Sequence, residues 1–146
     1  MMTGASQIIR YLPGFAAKHE VTDLLAEALG NPTQSELETL MQSCVNDGFP
    51  GLWIARSSDT TVGIMRLESR ESSSCVITHI AIHPSFRRQQ IGRKLVEFLR
   101  DDLRFAHAVA ETDDDAVCFY KACGFECKSL GDNKYGVRRY KCEIHF

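Results

Sequence analysis

Apolar residues recur along the chain at two spacings, and the alternation between them lays out the elements. Gln7-Ile8-Ile9-Arg10-Tyr11-Leu12 reads as a first strand, ended by Pro13-Gly14. Val21, Leu24, Leu25, Ala28 and Leu29 then fall on one helical face, and Gly30-Asn31-Pro32 stops the helix. A second helix follows at once: Thr33-x-x-Glu36 has capping-box form, and Leu37, Leu40, Met41, Cys44 and Val45 make a single apolar stripe. Gly48-Phe49-Pro50-Gly51 breaks it. Leu52–Ser57 and Thr61–Glu68, joined by the polar Ser58-Asp59-Thr60, have the pattern of a hairpin, and Cys75–Ile82 is a β-branched strand that stops at His83-Pro84.

Beyond the proline the period returns to that of a helix, with Ile91, Leu95, Phe98, Leu99 and Leu103 on one face. His107–Thr112 reads as a strand, Asp113–Cys123 as a helix closed by Gly124, and Phe125–Leu130 and Tyr135–His145 as two last strands. The order β-α-α-β-β-β-α-β-α-β-β predicts an α/β protein with one mixed, mostly antiparallel sheet and helices on both faces. No repeat, low-complexity stretch or long linker divides the chain, and 146 residues suit one domain of the usual ~100–200.

Composition narrows the classes. With 44% hydrophobic and 25% charged residues, the chain has the balance of a soluble globular protein. A net charge of −2 gives no reason to expect nucleic acid or an anionic membrane as partner. No stretch approaches the roughly 18 apolar residues of a membrane helix. Met1–Gln7 lacks a basic start followed by an apolar run, so no secretion signal is read and a cytoplasmic location is expected. The cysteines at 44, 75, 118, 123, 127 and 142 form no Cys-x-x-Cys pair and no zinc spacing, so no metal is expected and they read as small buried apolar residues.

Charge is uneven along the chain. Residues 1–60 carry 3 basic and 7 acidic side chains, whereas residues 84–94 carry Arg87, Arg88, Arg93 and Lys94 with no acid. This basic segment joins a buried strand to an amphipathic helix. The first N–H groups of a helix have no intrahelical partner, and its dipole favours negative charge there, so phosphates bind such starts. Gly92 would let a ligand approach the backbone closely, and a solvated basic turn with a helix cap is an equal reading of the same residues.

Two motifs carry a resemblance. Ile80-Ala81-Ile82-His83-Pro84-x-x-Arg87-Arg88-x-x-Ile91-Gly92-Arg93 resembles the acetyl-CoA signature of the GCN5-related N-acetyltransferases, Arg/Gln-x-x-Gly-x-Gly/Ala after a strand ending Val-x-Pro. Gln90 stands where that pattern has its first glycine. Downstream, Asp113-Asp114-Asp115-Ala116-Val117-Cys118-Phe119-Tyr120-Lys121-Ala122-Cys123-Gly124-Phe125 resembles the family's Asn-x-x-Ala-Val/Ile-x-Phe/Leu-Tyr-x-x-x-Gly-Phe, with Asp113 in place of Asn. Together the motifs span about residues 75–130.

The resemblance implies an acetyl-CoA-dependent N-acetyltransferase that acts in a ternary complex with an amine acceptor. It implies that Arg87, Arg88, Gln89, Gln90, Ile91, Gly92 and Arg93 hold the CoA pyrophosphate through backbone amides. It further implies that the backbone of Ile80, Ala81 and Ile82 runs beside the pantetheine arm, with Asp113 and Ala116 also at the cofactor. Tyr120 takes the place of the residue that protonates the CoA thiolate; ordinary phenol and thiol pKa values of ~10 and ~8.5 make that transfer reasonable.

An amine must lose a proton before it attacks. Cys75–Ile82 offers no carboxylate but does offer Thr78 and His79, and a neutral His79 could accept the proton. Glu111 is its equal as a candidate, Glu68 is a further rival, and a water chain needs no side-chain base. A catalytically weak acyl-CoA sensor or interaction module on the same fold is the alternative function. A dinucleotide-binding fold is excluded, because no Gly-x-Gly-x-x-Gly follows the first strand. The acceptor's identity is expected to rest on residues ~15–50 and the last hairpin, where loops set selectivity. A monomer and a homodimer both fit.

Overall fold

A computed structural model describes residues 7–14, 16, 18–71 and 73–146. Within that span the side chains of Arg88 and Gln89 lie outside the description, as do the first residues, on which the reading of no secretion signal rests. Seven strands form one sheet in the order β1-β2-β3-β4-β5-β7-β6. They are β1 Gln7–Arg10, β2 Gly51–Ser57, β3 Thr60–Arg70, β4 Ser74–Ile82, β5 His107–Asp113, β6 Glu126–Asp132 and β7 Arg138–His145. The helices are α1 Lys18–Leu29, α2 Gln34–Asn46, α3 Ile91–Asp101 and α4 Val117–Ala122, with a 3-10 turn over Pro84–Gln89 before α3. Every ladder is antiparallel except β4 with β5, so the mixed sheet expected from the element order is the one found.

Helices cover both faces of the central strands, and the residues beneath them are apolar. Ile91, Leu95, Val96 and Leu99 of α3 and Val117 and Tyr120 of α4 join Met65, Leu67, Cys75, Ile77, Ala108, Ala110 and Cys142 in one core. On the other face Val21, Leu24 and Leu25 of α1 and Met41 and Cys44 of α2 cover Leu52, Ile54, Ile64 and Ala81. Each fully buried leucine or isoleucine contributes roughly 1.5–3 kcal/mol. Leu25, Leu52, Ile54, Ile64, Leu95 and Leu99 are all of this kind, so neither face holds without its helices. Among the described residues no helix is long and apolar enough to cross a membrane.

Several boundaries move. Thr33 and Glu36 do form the expected box: the hydroxyl accepts from Glu36 N–H at 3.1 Å, and the carboxylate accepts from Thr33 N–H at 2.9 Å. Val45 leaves the apolar stripe and is 43% exposed. Leu103 lies past the end of α3 yet still packs on the core. The largest shift is at Asp113, which ends β5 instead of starting a helix. Its Oδ1 accepts from Asp115 N–H at 3.0 Å and its carbonyl from Ala116 N–H at 3.3 Å, so three successive acids make a turn and α4 begins only at Val117. Of the cysteines, Cys44, Cys75 and Cys142 are buried as expected, but Cys118 is exposed and Cys123 and Cys127 are half-buried.

Candidate active site

The site begins where β4 and β5 part. They pair only through Ser74–His107, Cys75–Ala108 and Val76–Val109, although β4 runs on to Ile82 and β5 to Asp113. A bulge lies where they part: His79 pairs with Arg66 and Ile77 with Leu67, so Thr78 has no register partner on β3. An extra residue bends a strand and strengthens its local twist. The result is a wedge with the backbone of Ile80–Ile82 on one side and the end of β5 on the other.

Past the wedge the chain makes its 3-10 turn and enters α3 through Gln90, with φ 64° and ψ 21°. That is the left-handed region, which costs a side-chain-bearing residue roughly 1–2 kcal/mol and which glycine enters freely. Glycine is what the resembled motif has here, so the conformation survives the replacement. The Gln90 side chain makes no capping bond to α3. Among the described residues no side chain takes its first amides, whereas at α2 Thr33 and Glu36 close a reciprocal cap. A basic helix start of this kind is where the orphan amides and the helix dipole favour an anion.

Arg87 and Arg93 are already engaged. Arg87 donates to the Ile82 carbonyl at 3.2 Å and forms an ion pair with Glu27 of α1. Arg93 donates to Gln90 Oε1 at 3.2 Å and to the Ala122 carbonyl at the end of α4 at 2.6 Å. Gly92 has a second reason to be glycine besides ligand approach, since it is buried against the ring of Phe119. Two motifs separated in sequence thus meet at Arg93–Ala122 and at Gly92–Phe119.

Tyr120 is 4% exposed. Its ring packs edge-on against Phe119 and Phe125, both at 5.1 Å between centroids. Burial pushes its phenol well above the ordinary 10, with the nearby Cys142, Cys123 and Cys127 adding to the effect. Tyr120 is therefore protonated throughout the physiological range, the form from which an acid must start.

On the face covered by α1 and α2, Thr78 donates its hydroxyl proton to the Arg66 carbonyl at 3.2 Å. His79 Nδ1 lies 2.9 Å from the same hydroxyl oxygen. A carbonyl only accepts, so the hydroxyl's one proton is committed and the contact requires a proton on Nδ1. Nε2 is left with its lone pair. Half-burial holds His79 below its ordinary 6.5, the charge of Arg66 adds to that, and Glu68 opposes it weakly. Arg66 itself is fixed by Asp47 at 3.0 and 3.2 Å and by Ser43 Oγ at 2.9 Å. Glu68 and Glu111 are exposed, and Glu111 lies opposite Lys141 on β7.

The structure brings Ile80–Ile82, Gln90–Arg93 and α4 around one end of the sheet. It also adds contacts that the sequence did not reveal: Arg66, Asp47 and Ser43 beside His79, Glu27 on Arg87 and Phe119 on Gly92. One signal for the first group was available, a lone arginine inside the apolar run Val62–Leu67. A shallow hollow of about 530 Å³ at the α1–α2 connection, lined by residues such as Asn31 and Leu37, meets these residues only through Glu27.

Known proteins share this fold. No curated protein matches the chain significantly in sequence. A GNAT-family structure from Desulfovibrio desulfuricans superposes with a TM-score of 0.74 at 19% identity, over 97% of this chain and 99% of its own. A GNAT family acetyltransferase from Elizabethkingia anophelis, with acetyl-CoA bound, gives 0.70 at 17%, over 97% and 98%. The ribosomal-protein-S18-alanine N-acetyltransferase of Escherichia coli gives 0.69 at 16%, over 97% and 94%. A family model, the acetyltransferase (GNAT) domain, matches residues 49–127, which hold β2–β5, the basic turn, α3 and α4. The chain therefore belongs to the GNAT acetyltransferases.

Proposed function

We propose that this single-domain chain transfers the acetyl group of acetyl-CoA to a primary amine. The observation that carries the reading is the parting of β4 from β5 directly before an uncapped, left-handed helix start. A strand edge opened this way offers every second backbone group of Ile77–Ile82 to an extended ligand. The open amides after Gln90 suit its anionic end. The residues fit the cosubstrate's two chemical halves, an amide-bearing arm and a pyrophosphate. Acetyl-CoA is the ligand present in the Elizabethkingia anophelis neighbour, which shares the fold.

In this reading the amides of Gln90–Arg93 hold the pyrophosphate, and Arg87, Arg88 and Arg93 balance its charge. Arg87 must then exchange its partner Glu27 for phosphate. A backbone N–H at Ile80–Ile82 polarises the acetyl carbonyl as negative charge develops on it. Asp113 and Ala116 shape the far wall from the turn before α4.

His79 is the base. Its Nε2 takes the proton of the amine, and the chain Arg66 carbonyl–Thr78 hydroxyl–His79 Nδ1 holds the tautomer that makes this possible. Glu111, the rival, has a cation as its cross-strand neighbour and no comparable orientation. Tyr120 donates a hydrogen bond, and then a proton, toward the departing thiolate. Its raised pKa makes full transfer uphill, so stabilisation by the hydrogen bond is the larger part of its contribution.

The deciding experiment follows thiol release from acetyl-CoA against a panel of primary amines. His79→Ala and Tyr120→Phe should each lower kcat/KM by about 10²–10⁴-fold with at least one amine. Full activity in Tyr120→Phe would remove the acid. Thermal stabilisation by acetyl-CoA with no turnover of any amine would favour the sensor reading, which the near-complete burial of Tyr120 supports. No stabilisation at all would end both.

A further inference from the structure

We propose that His107, Glu143 and His145 form a binding site for a divalent transition-metal ion of the zinc and nickel class, on the face of the β5–β7 ladder turned away from α3 and α4. The inference is independent of the acetyl-transfer reading. Register creates the site: His107 pairs directly with His145, and Val109 with Glu143. Strand residues two apart share a face, so His145, Glu143 and His107 project to the same side. That side is opposite to Cys142 and Ala108, which are buried beneath α3 and α4.

The donors already converge. One ligand atom from each of the three lies within 4.8 Å of the others. His107 Nε2 is 2.8 Å from Glu143 Oε2, and the two imidazole rings stack at 4.4 Å with 26° between their planes. Metal–ligand bonds of ~2.0–2.2 Å place tetrahedral donors roughly 3.4 Å apart. Closing from 4.8 Å to that spacing is a side-chain movement, open to the exposed His145, whose χ2 well is broad. Three protein donors leave a fourth position for water.

A supporting contact is also present. His107 Nδ1 lies 2.7 Å from Ser74 Oγ, at the start of β4. Binding through Nε2 needs that nitrogen's lone pair, so its proton must leave the bond to Glu143. In neutral His107 the proton relocates to Nδ1, where Ser74 Oγ accepts it; the hydroxyl rotates between donating and accepting. Protonated His107 instead releases one proton to solvent. Two imidazoles and one carboxylate, with no thiolate, select zinc, nickel, cobalt or copper over magnesium or calcium.

Position decides what the ion would do. Ser74 and His107 are at the paired end of the β4–β5 ladder, and Ile80–Ile82 are six or more residues away along β4. At ~3.3 Å per residue that is about 20 Å, too far to touch the wedge. The ion would clamp β7 to β5 and, through Ser74, to β4. Its effect is on stability.

Metal-stripped protein titrated with Zn²⁺ or Ni²⁺, by calorimetry and by thermal melting, tests this. The expected result is one equivalent bound and a Tm raised by roughly 5–10 °C at about 100 times Kd. His145→Gln, at an exposed position, and Glu143→Gln, which keeps an oxygen to accept from His107 Nε2, should melt close to the parent without metal and bind at least ~10-fold more weakly with it. Ser74→Ala should weaken binding by ~10-fold while leaving one equivalent bound. Exposed Cys118 is kept in every variant. Absence of binding, or binding of equal strength in both glutamine variants (ions held by thiols), overturns the proposal.

Discussion

Phe119 packs where a side chain at Gly92 would be: a Cβ there would come within 2.4 Å of Phe119 Cε1 and 2.9 Å of Cζ. Gly92→Ala therefore forces the ring out of its place between α3 and α4. The helix propensity gained, up to ~1 kcal/mol, is smaller than the overpacking cost of ~1–3 kcal/mol. Chemical denaturation should show a net loss of about 1–2 kcal/mol. Adding Phe119→Leu should restore most of it, and additivity of the two changes would show that the contact is not the cause.

At Gln90 the backbone, and not the side chain, is the requirement. Gln90→Gly should keep or slightly raise stability, since relief of the left-handed cost offsets the greater freedom of the unfolded chain. Gln90→Val, β-branched at positive φ, should lose about 1–2 kcal/mol. If valine is tolerated as well as glycine, the turn does not hold its left-handed form in solution.

His79 gives the chain a pH dependence with a definite sign. Its folded pKa is depressed below the ordinary 6.5, so between those two values the unfolded state binds more protons. Its contribution to stability is fully present above 6.5 and is lost as pH falls toward the folded value. The acid limb of kcat/KM should likewise fall below pH 6.5. Arg66→Ala removes one of the depressing charges and opens the site to water, so the limb should move to higher pH. Breaking the Arg66–Asp47 pair, whose side chains are 13% and 21% exposed, should also cost about 2 kcal/mol. A limb that stays in place in Arg66→Ala would exclude His79 as the titrating group.

Glu27 competes for Arg87. The pair is surface-exposed, worth at most ~1 kcal/mol, and must open if Arg87 is to meet phosphate. Glu27→Gln should tighten CoA binding by up to ~5-fold and leave amine KM unchanged. Weaker binding in this variant would mean that Glu27 orients Arg87 instead of withholding it.

Most elements were legible because their signals are local. The periodicity of Ile91–Leu99, the box at Thr33 and Glu36 and the stop at Pro84 each lie within a few residues of the structure they specify. Asp113–Cys123 misled at its start for a physical reason. Acids favour a helix N-terminus, but Asp113 satisfies the amide of Asp115 and its carbonyl that of Ala116, and these bonds close a turn first. Val45 misled because a stripe on a helix does not say how wide the covering surface is.

By itself the sequence determined the order of elements, the two apolar faces and a basic helix start, all set by contacts between near neighbours. It also placed Tyr120 and the basic turn in one family pattern. Only the tertiary structure decided what those residues touch. The bulge at Thr78 lies where β4 parts from β5, the β3–β4 register sets Arg66 beside His79, and α4 seats Phe119 on Gly92. The β5–β7 register likewise joins His107 to Glu143 and His145, 36 and 38 positions on. Such meetings depend on strand register and helix docking, which are fixed by burial over the whole sheet and leave no trace in any short stretch of chain.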